Sequence, residues 1–191
     1  MGALNLTKAN EGKQEMAAAI NSAAGTNIFS CYQCGKCSAG CPISYTMDYQ
    51  PRQIMRLLQL GLGDKALESS TIWLCASCQT CTTRCPREVD IAAVMDALRQ
   101  KVVDEKRPVK ERALLAFHRA FLEAIRTNGR LHEIEMVVRF KLKTGRLLQD
   151  LLLGAGMFLN GKLSILPVGI KGKKEIHEMF ARAERLEEGS Q

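Results

Sequence analysis

Cysteines are the residues of this chain whose type and spacing could do chemistry. All eight lie in two short runs, CYQCGKCSAGCP at residues 31–42 and CASCQTCTTRCP at residues 75–86. Each run has the form C-x2-C-x2-C-x3-C-P, and the second begins 44 residues after the first. We call them the first and second cassettes. The eight thiols are Cys31, Cys34, Cys37, Cys41, Cys75, Cys78, Cys81 and Cys85.

The spacing in each cassette is that of cysteines that bind a cubane 4Fe-4S cluster in bacterial two-cluster ferredoxins. Two-residue gaps let three successive thiolates reach three irons of one cube, and the fourth cysteine of such a run binds the other cluster. Pro42 and Pro86 fit this arrangement because each stops helix continuation behind a fourth cysteine. The pattern predicts two crosswise clusters. Cluster 1 is bound by Cys31, Cys34, Cys37 and Cys85, and cluster 2 by Cys75, Cys78, Cys81 and Cys41.

Two other uses of the thiols remain open. Disulfides need an oxidising compartment, and the N-terminal sequence has no basic region followed by an unbroken apolar stretch, as a secretory signal would. Structural zinc is a stronger alternative, since paired C-x2-C is also a zinc spacing. Zinc leaves the third cysteine and the trailing C-P of each cassette unexplained, so the cluster interpretation is preferred.

The composition is that of an ordinary globular protein, with 46% hydrophobic and 25% charged residues among 191. No window of about 18 residues is apolar without a polar break, so we expect no membrane span and a cytoplasmic protein. Of the net charge of +7, the whole excess lies in residues 99–146, which hold 13 Lys and Arg against 6 Asp and Glu. Few aromatic residues accompany these charges, which argues against nucleic-acid binding. The basic stretch is either a set of solvated helix faces or a surface for a partner.

Hydrophobic periodicity predicts an all-α fold. Pro51 begins one helix and Gly61 stops it, Asp64 caps a short helix to about Ser69, and Asp90 caps a longer helix that Pro108 ends or restarts. Further helices are expected over 109–127, 131–143 and 173–187. The predicted division is an N-terminal segment (1–30), a helical ferredoxin domain with cluster-binding loops (31–106) and a helical C-terminal extension (107–191).

The sequence offers little for catalysis beyond the cysteines. His118, His132 and His177 have no cysteine, serine or acidic partner at motif spacing, and no glycine-rich dinucleotide loop is present. We therefore expect no catalytic residues and no bound flavin or nicotinamide. Two clusters in one small domain suit the passage of single electrons, so the prediction is a non-catalytic electron-transfer subunit of an oxidoreductase.

Residues 31–99 resemble a known family. CYQCGKCSAGCP, PRQIMRLLQLG and WLCASCQTCTTRCPREVDIAAVMDALR are similar to the C subunit of heterodisulfide reductase from methanogenic archaea and their relatives. The wider class of helical two-cluster ferredoxin domains includes the iron–sulfur subunits of glycolate oxidase-like and succinate dehydrogenase-like enzymes, and the cassettes alone fit these as well.

The resemblance implies an electron relay. In that family a flavin-containing A subunit bifurcates electron pairs, and the C subunit passes one branch to the catalytic B subunit. The B subunit reduces the mixed disulfide of coenzyme M and coenzyme B, and a hydrogenase or a formate dehydrogenase supplies the electrons. The B subunit has adjacent cysteines, which this chain lacks. The implied partners are these A and B subunits, with residues 99–146 and the apolar patches of 147–170 as candidate docking segments or as this chain's own core.

Overall fold

The structure, a computed structural model, describes residues 8–145, 156–157, 159–160 and 170–188. The described residues form helices and short loops and contain no β-strand, which confirms the predicted all-α class. They belong to two compact units, Met1–Glu111 and Arg112–Gln191. No helix among them is long and apolar enough to cross a membrane.

The first unit contains both cassettes. Its helices are α1 (Lys8–Ala24), α2 (Lys36–Gly40), α3 (Pro51–Gln59), α4 (Gly63–Leu67), α5 (Thr71–Leu74), α6 (Thr80–Thr83) and α7 (Ile91–Asp104), with 3-10 turns at Ile28–Ser30 and Ser44–Thr46. Helix α1 was not foreseen from the sequence. It packs against α3, α4 and α7 and buries Ala17 and Ile20. The residues before the first cassette are therefore part of the core that supports the cassettes.

Helix α7 is the main support of this unit and contacts α1, α4, α5 and α6. Its buried residues are Ile91, Ala92, Val94, Met95, Ala97, Leu98 and Val102. They follow the helical period, so one face is apolar, and burying each large side chain contributes about 1.5–3 kcal/mol. The predicted cap is confirmed, because the Asp90 carboxylate accepts a hydrogen bond from the Ala93 amide at 2.9 Å.

Helix α3 begins at Pro51 as predicted, and the chain turns away at Gly61, whose φ is +71°. The predicted cap at Asp64 is wrong. Helix α4 already begins at Gly63, and Asp64 lies in its first turn, where its carboxylate accepts from Arg107 at 2.7 Å. An acidic residue is favourable there because the amide dipoles give the helix start a partial positive charge.

The second unit contains α8 (Arg112–Asn128), α9 (Glu133–Thr144) and α10 (Lys173–Glu188), with α8 packed against both others. Phe117 of α8 meets Phe140 of α9 edge-to-face, with ring centroids 5.8 Å apart. Arg126 donates to Glu184 across α8 and α10. The three helices agree with the predicted ranges to within a few residues. The stretch 147–170, expected to be a docking segment or part of this chain's own core, lies almost wholly outside the described residues.

Candidate metal centre

The two cassettes have the same backbone shape. The residue before the second cysteine of each has a positive φ, +68° at Gln33 and +50° at Ser77, and so does the residue after it, +81° at Gly35 and +62° at Gln79. Gln33 and Ser77 are 44 residues apart, and so are Gly35 and Gln79, so they are equivalent positions of the repeat. The left-handed conformation costs a non-glycine residue about 1–2 kcal/mol. Where right- and left-handed residues alternate, successive backbone N–H groups point into one concavity that can bind an anion. Strain kept at equivalent positions indicates a functional shape.

A short helix follows each left-handed residue. Gly35 precedes α2 and Gln79 precedes α6, so the third cysteines, Cys37 and Cys81, lie in helical turns rather than in open loops. Helices α2 and α6 contact each other. The two cassettes are therefore in contact, as crosswise ligation requires.

One cavity brings together thiols from both cassettes. Cys41 of the first cassette lines it together with Cys75, Cys78 and Cys81 of the second. The rest of its lining is mostly apolar and comes from Ile43, Met47, Pro51, Ala76, Gln79, Thr80, Ala92 and Met95. Four soft sulfur donors in an apolar surrounding fit an iron–sulfur cluster, because thiolates are the ligands that such clusters use. These four are the predicted ligands of cluster 2.

Cys85 lies near the first cassette. Partial burial is the largest cause that raises the pKa of the Tyr32 phenol, and the Cys34 and Cys85 thiols raise it further. Both thiols therefore lie within electrostatic reach of the same ring. Cys31 acts in the same way on Cys37. The Val89 amide donates to the Cys85 sulfur at 3.4 Å. Cys34 and Cys85, two of the four predicted ligands of cluster 1, thus lie near the same ring.

The thiols differ in exposure. Cys34 and Cys78, the second cysteine of each cassette, are exposed, and Cys37 is buried. Burial raises the pKa of Cys37 and Cys75 and raises that of Cys81 to about 11. Hydrogen bonding to Thr80 lowers the pKa of Cys78. A buried thiol resists losing its proton to water, but a metal that takes the place of the proton removes that penalty, so metal binding would be linked to folding.

Each cassette is held by a side chain from a distant helix. Gln59 of α3 donates to the Cys31 carbonyl at 2.7 Å and accepts from the side-chain amide of Gln33 at 3.3 Å. Arg99 of α7 donates to the Cys75 carbonyl at 3.3 Å and to the Ser77 hydroxyl at 2.7 Å. Both contact the first cysteine and the left-handed residue two positions later. Gln59 and Arg99 carry no sequence signal, since no local pattern connects them to cassettes at least 22 residues away.

The three histidines lie apart from these contacts in the second unit. His132 caps α9 by accepting from the Glu135 amide at 3.3 Å, and the His118 ring meets Phe117 edge-on. No group of three or more His, Cys, Asp or Glu side chains in the described part of the chain is clustered closely enough to bind a single metal ion.

Residues 27–89 match the protein family described as the 4Fe-4S dicluster domain. The chain is 45% identical over 73 residues to the iron–sulfur C subunit of the CoB–CoM heterodisulfide reductase of Methanopyrus kandleri, a match that covers 38% of each chain. It is 34% identical over 97 residues to the C subunit of the H2:CoB–CoM heterodisulfide, ferredoxin reductase of Methanothermobacter marburgensis, covering 51% of this chain and 52% of that protein. The predicted resemblance to heterodisulfide reductase C subunits is confirmed.

A third relative is the C subunit of the ferredoxin:CoB–CoM heterodisulfide reductase of Methanosarcina acetivorans, 41% identical over 75 residues, which are 39% of this chain and 30% of that protein. This chain thus spans about half or less of the length of the relatives that it matches. The similarity to heterodisulfide reductase C subunits and the domain match support an iron–sulfur electron-transfer subunit.

Proposed function

We propose that this chain is the electron-relay subunit of a heterodisulfide reductase. In this role it binds two 4Fe-4S clusters and passes electrons from a flavin-containing A subunit to a catalytic B subunit that reduces the heterodisulfide of coenzyme M and coenzyme B. The observation that carries the cluster binding is the cavity in which Cys41 meets Cys75, Cys78 and Cys81, and the similarity to heterodisulfide reductase C subunits supports the choice of enzyme. A fourth thiol supplied across cassettes is what two-cluster ferredoxin ligation requires.

The eight cysteines are proposed as the cluster ligands. Cys75, Cys78, Cys81 and Cys41 hold one cluster, and Cys31, Cys34, Cys37 and Cys85 hold the other. The shared cavity supports the first set, and the common electrostatic effect of Cys34 and Cys85 on Tyr32 supports the second. When bound, each cluster accepts and releases one electron.

The surrounding residues prepare the sites. Met47 and Met95 line the cavity with apolar groups. Gln59 and Arg99 fix the loop carbonyls of Cys31 and Cys75, and the Val89 amide points a donor at the Cys85 sulfur. Donors to sulfur and exclusion of water both tune reduction potential. A scaffold of this kind keeps the ligands in place, and we propose no catalytic residue and no flavin or nicotinamide in this chain.

The proposed partners come from the same assignment. They are the flavin-containing A subunit and the catalytic B subunit, with a hydrogenase or a formate dehydrogenase as the electron source, all in the cytoplasm. We propose that residues 31–106 form the two-cluster domain, preceded by the N-terminal segment 1–30, and that residues 107–191 form an extension for docking to the other subunits. An iron–sulfur subunit of another dehydrogenase complex is the alternative.

Metal analysis of the full chain tests the proposal. Protein purified without oxygen should contain about eight irons and about eight sulfides per chain, and should give an electron spin resonance signal on reduction. Stoichiometric zinc without sulfide would replace the proposal by a zinc-stabilised interaction module. Iron with co-purifying flavin and heterodisulfide-reducing subunits supports the heterodisulfide reductase assignment, whereas co-purification with a different dehydrogenase supports the alternative.

A further inference from the structure

Each cassette has one exposed thiol, and the surfaces around these two thiols differ in charge. Cys34 and Cys78 are the exposed cysteines, at equivalent positions of the repeat. A cluster held by an exposed ligand comes closest to the surface at that ligand. The molecule therefore has two places at which another redox protein could approach a cluster, one at Cys34 and one at Cys78.

The surface at Cys34 is basic. Tyr32, Gln33, Arg52, Gln53 and Arg56 line a groove beside the first cassette, and we call this the basic groove. Lys36 extends the positive charge along the cassette, and Arg87 acts electrostatically on the Tyr32 phenol. Within the described part of the chain, none of Lys36, Arg52, Arg56 and Arg87 is in an ion pair.

The surface at Cys78 has no such excess of positive charge. Its neighbours Ala76, Ser77 and Gln79 are exposed and uncharged. The nearby cation, Arg99, is in an ion pair with Asp96, and its side chain is only 16% exposed. The two approaches to the clusters are therefore chemically distinct, since one presents cations outside any ion pair and the other a neutralised pair.

We propose that the basic groove is the docking site of an acidic surface on the subunit that exchanges electrons with the cluster of Cys31, Cys34 and Cys37. Charge complementarity is the basis of this inference, because cations without an acidic partner in their own chain attract an anionic surface and steer its approach. The exposed Tyr32, 60% accessible, adds an aromatic contact of the kind that interfaces favour. The inference rests on the proposed function.

The test is the association rate of the full chain with the flavin-containing subunit and with the catalytic subunit, each purified separately from the same organism. The test variant is Arg52→Glu/Arg56→Glu. The matched control is Lys65→Glu/Lys106→Glu, which changes the net charge equally at two other exposed cations of the first unit. We expect the test variant to slow association of one of the two subunits by about tenfold or more at about 50 mM salt, and the control by less than about twofold. The difference should shrink at about 0.5 M salt because the charges are then screened.

Three results would overturn the proposal. One is that neither subunit binds the wild-type chain, and a second is that the test and control variants slow association equally. The third is that Arg52→Glu/Arg56→Glu lowers iron content while leaving association unchanged, which would assign the cations to cluster binding instead of docking. Iron and sulfide are measured on the same samples, so a chain that lacks clusters but shows the charge effect refutes the proposed function and leaves the docking site standing.

Discussion

The two cassettes have the same cysteine spacing and backbone shape but different side chains around them. Positions 33 and 77, and 35 and 79, share the left-handed conformation, yet glycine occupies one of the second pair and glutamine the other. A neutral amide, Gln59, holds the first cassette, and a guanidinium, Arg99, holds the second. The backbone shape is thus the same in both cassettes, whereas the side chains that hold it differ.

One close contact shows a further difference between the two cassettes. Gly40 and Arg84 occupy equivalent positions of the repeat, and a Cβ on Gly40 would lie 2.7 Å from Cδ of Arg84. The two positions thus face each other, and a large side chain fits at only one of them. The cysteines occupy equivalent positions in the two cassettes, but the side chains around them differ. That difference would give two clusters of the same kind different charge environments.

The largest expected effect comes from replacing the fourth cysteine of one or the other cassette with serine. In a background of Cys34→Ala/Cys37→Ala, only the second cluster should remain, with about four irons. Crosswise ligation predicts that adding Cys41→Ser abolishes this iron and that adding Cys85→Ser does not. Iron and sulfide analysis reads the result, and helical circular dichroism checks the fold. In the Cys34→Ala/Cys37→Ala background, loss of iron on adding Cys85→Ser, with iron kept on adding Cys41→Ser, would show that each cassette uses its own fourth cysteine.

Asp48 connects the segments next to the two cassettes through hydrogen bonds. We expect its replacement to have the next largest effect, on the stability of the fold. Its carboxylate accepts from the Ser70 and Thr71 amides at 2.9 and 3.1 Å and from Lys110 at 2.9 Å, which ties the chain after the first cassette to α5 before the second. Asp48→Asn should lower the free energy of unfolding at pH 7 by about 2 kcal/mol. Asp104→Asn, an exposed control, should change it by less than about 0.5 kcal/mol.

The same variant tests how the contribution of Asp48 to the free energy of unfolding depends on pH. Burial raises the pKa of Asp48, but hydrogen bonds from Ser70, Lys110 and Thr71 outweigh burial and hold it well below its usual range. Because the folded pKa is depressed, the stabilisation is complete above the ordinary value of about 4 and is lost as the pH falls through the folded pKa. Denaturant unfolding should show a constant wild-type to Asp48→Asn difference from about pH 5 to 7 and a narrowing below about pH 4. A difference that narrows already at about pH 6 would contradict this account.

Elements with a local signal could be predicted from the sequence. The cap at Asp90 and the apolar face of α7 are local, and so is the cassette spacing that indicated clusters. Helix α1 was missed because its apolar positions are small, as at Ala17, and only packing against α7 makes them a core. The roles of Gln59 and Asp48 depend on partners more than 20 residues away, which no periodicity reveals.

The left-handed residues offer a smaller test of the repeat. A Cβ at Gly35 would meet only Cδ of Arg52, at 3.8 Å, so Gly35→Ala should cost about 1 kcal/mol through backbone strain alone. Gln79→Gly should stabilise by about 1 kcal/mol, since it relieves the same strain in the second cassette. Ala76→Gly, at a position without positive φ, should be destabilising. Thermal unfolding without oxygen measures all three, and equal signs for Gln79→Gly and Ala76→Gly would refute the shared shape.

The smallest expected effect concerns Arg99, the guanidinium that holds the second cassette. Arg99 is paired with Asp96, but its positive charge acts more strongly on Cys75 than the negative charge of Asp96 does. A nearby positive charge stabilises the more negative, reduced state of a cluster. Arg99→Gln should therefore lower the reduction potential of the cluster at the second cassette by on the order of 30 mV, about 0.7 kcal/mol for one electron. Lys101→Gln is the control, because Lys101 lies on another side of α7 in an ion pair with Glu105. In a redox titration followed by electron spin resonance, one cluster signal should shift and the other stay. Equal shifts of both signals would mean that Arg99 acts on the fold as a whole, and no shift would mean that Asp96 already neutralises it.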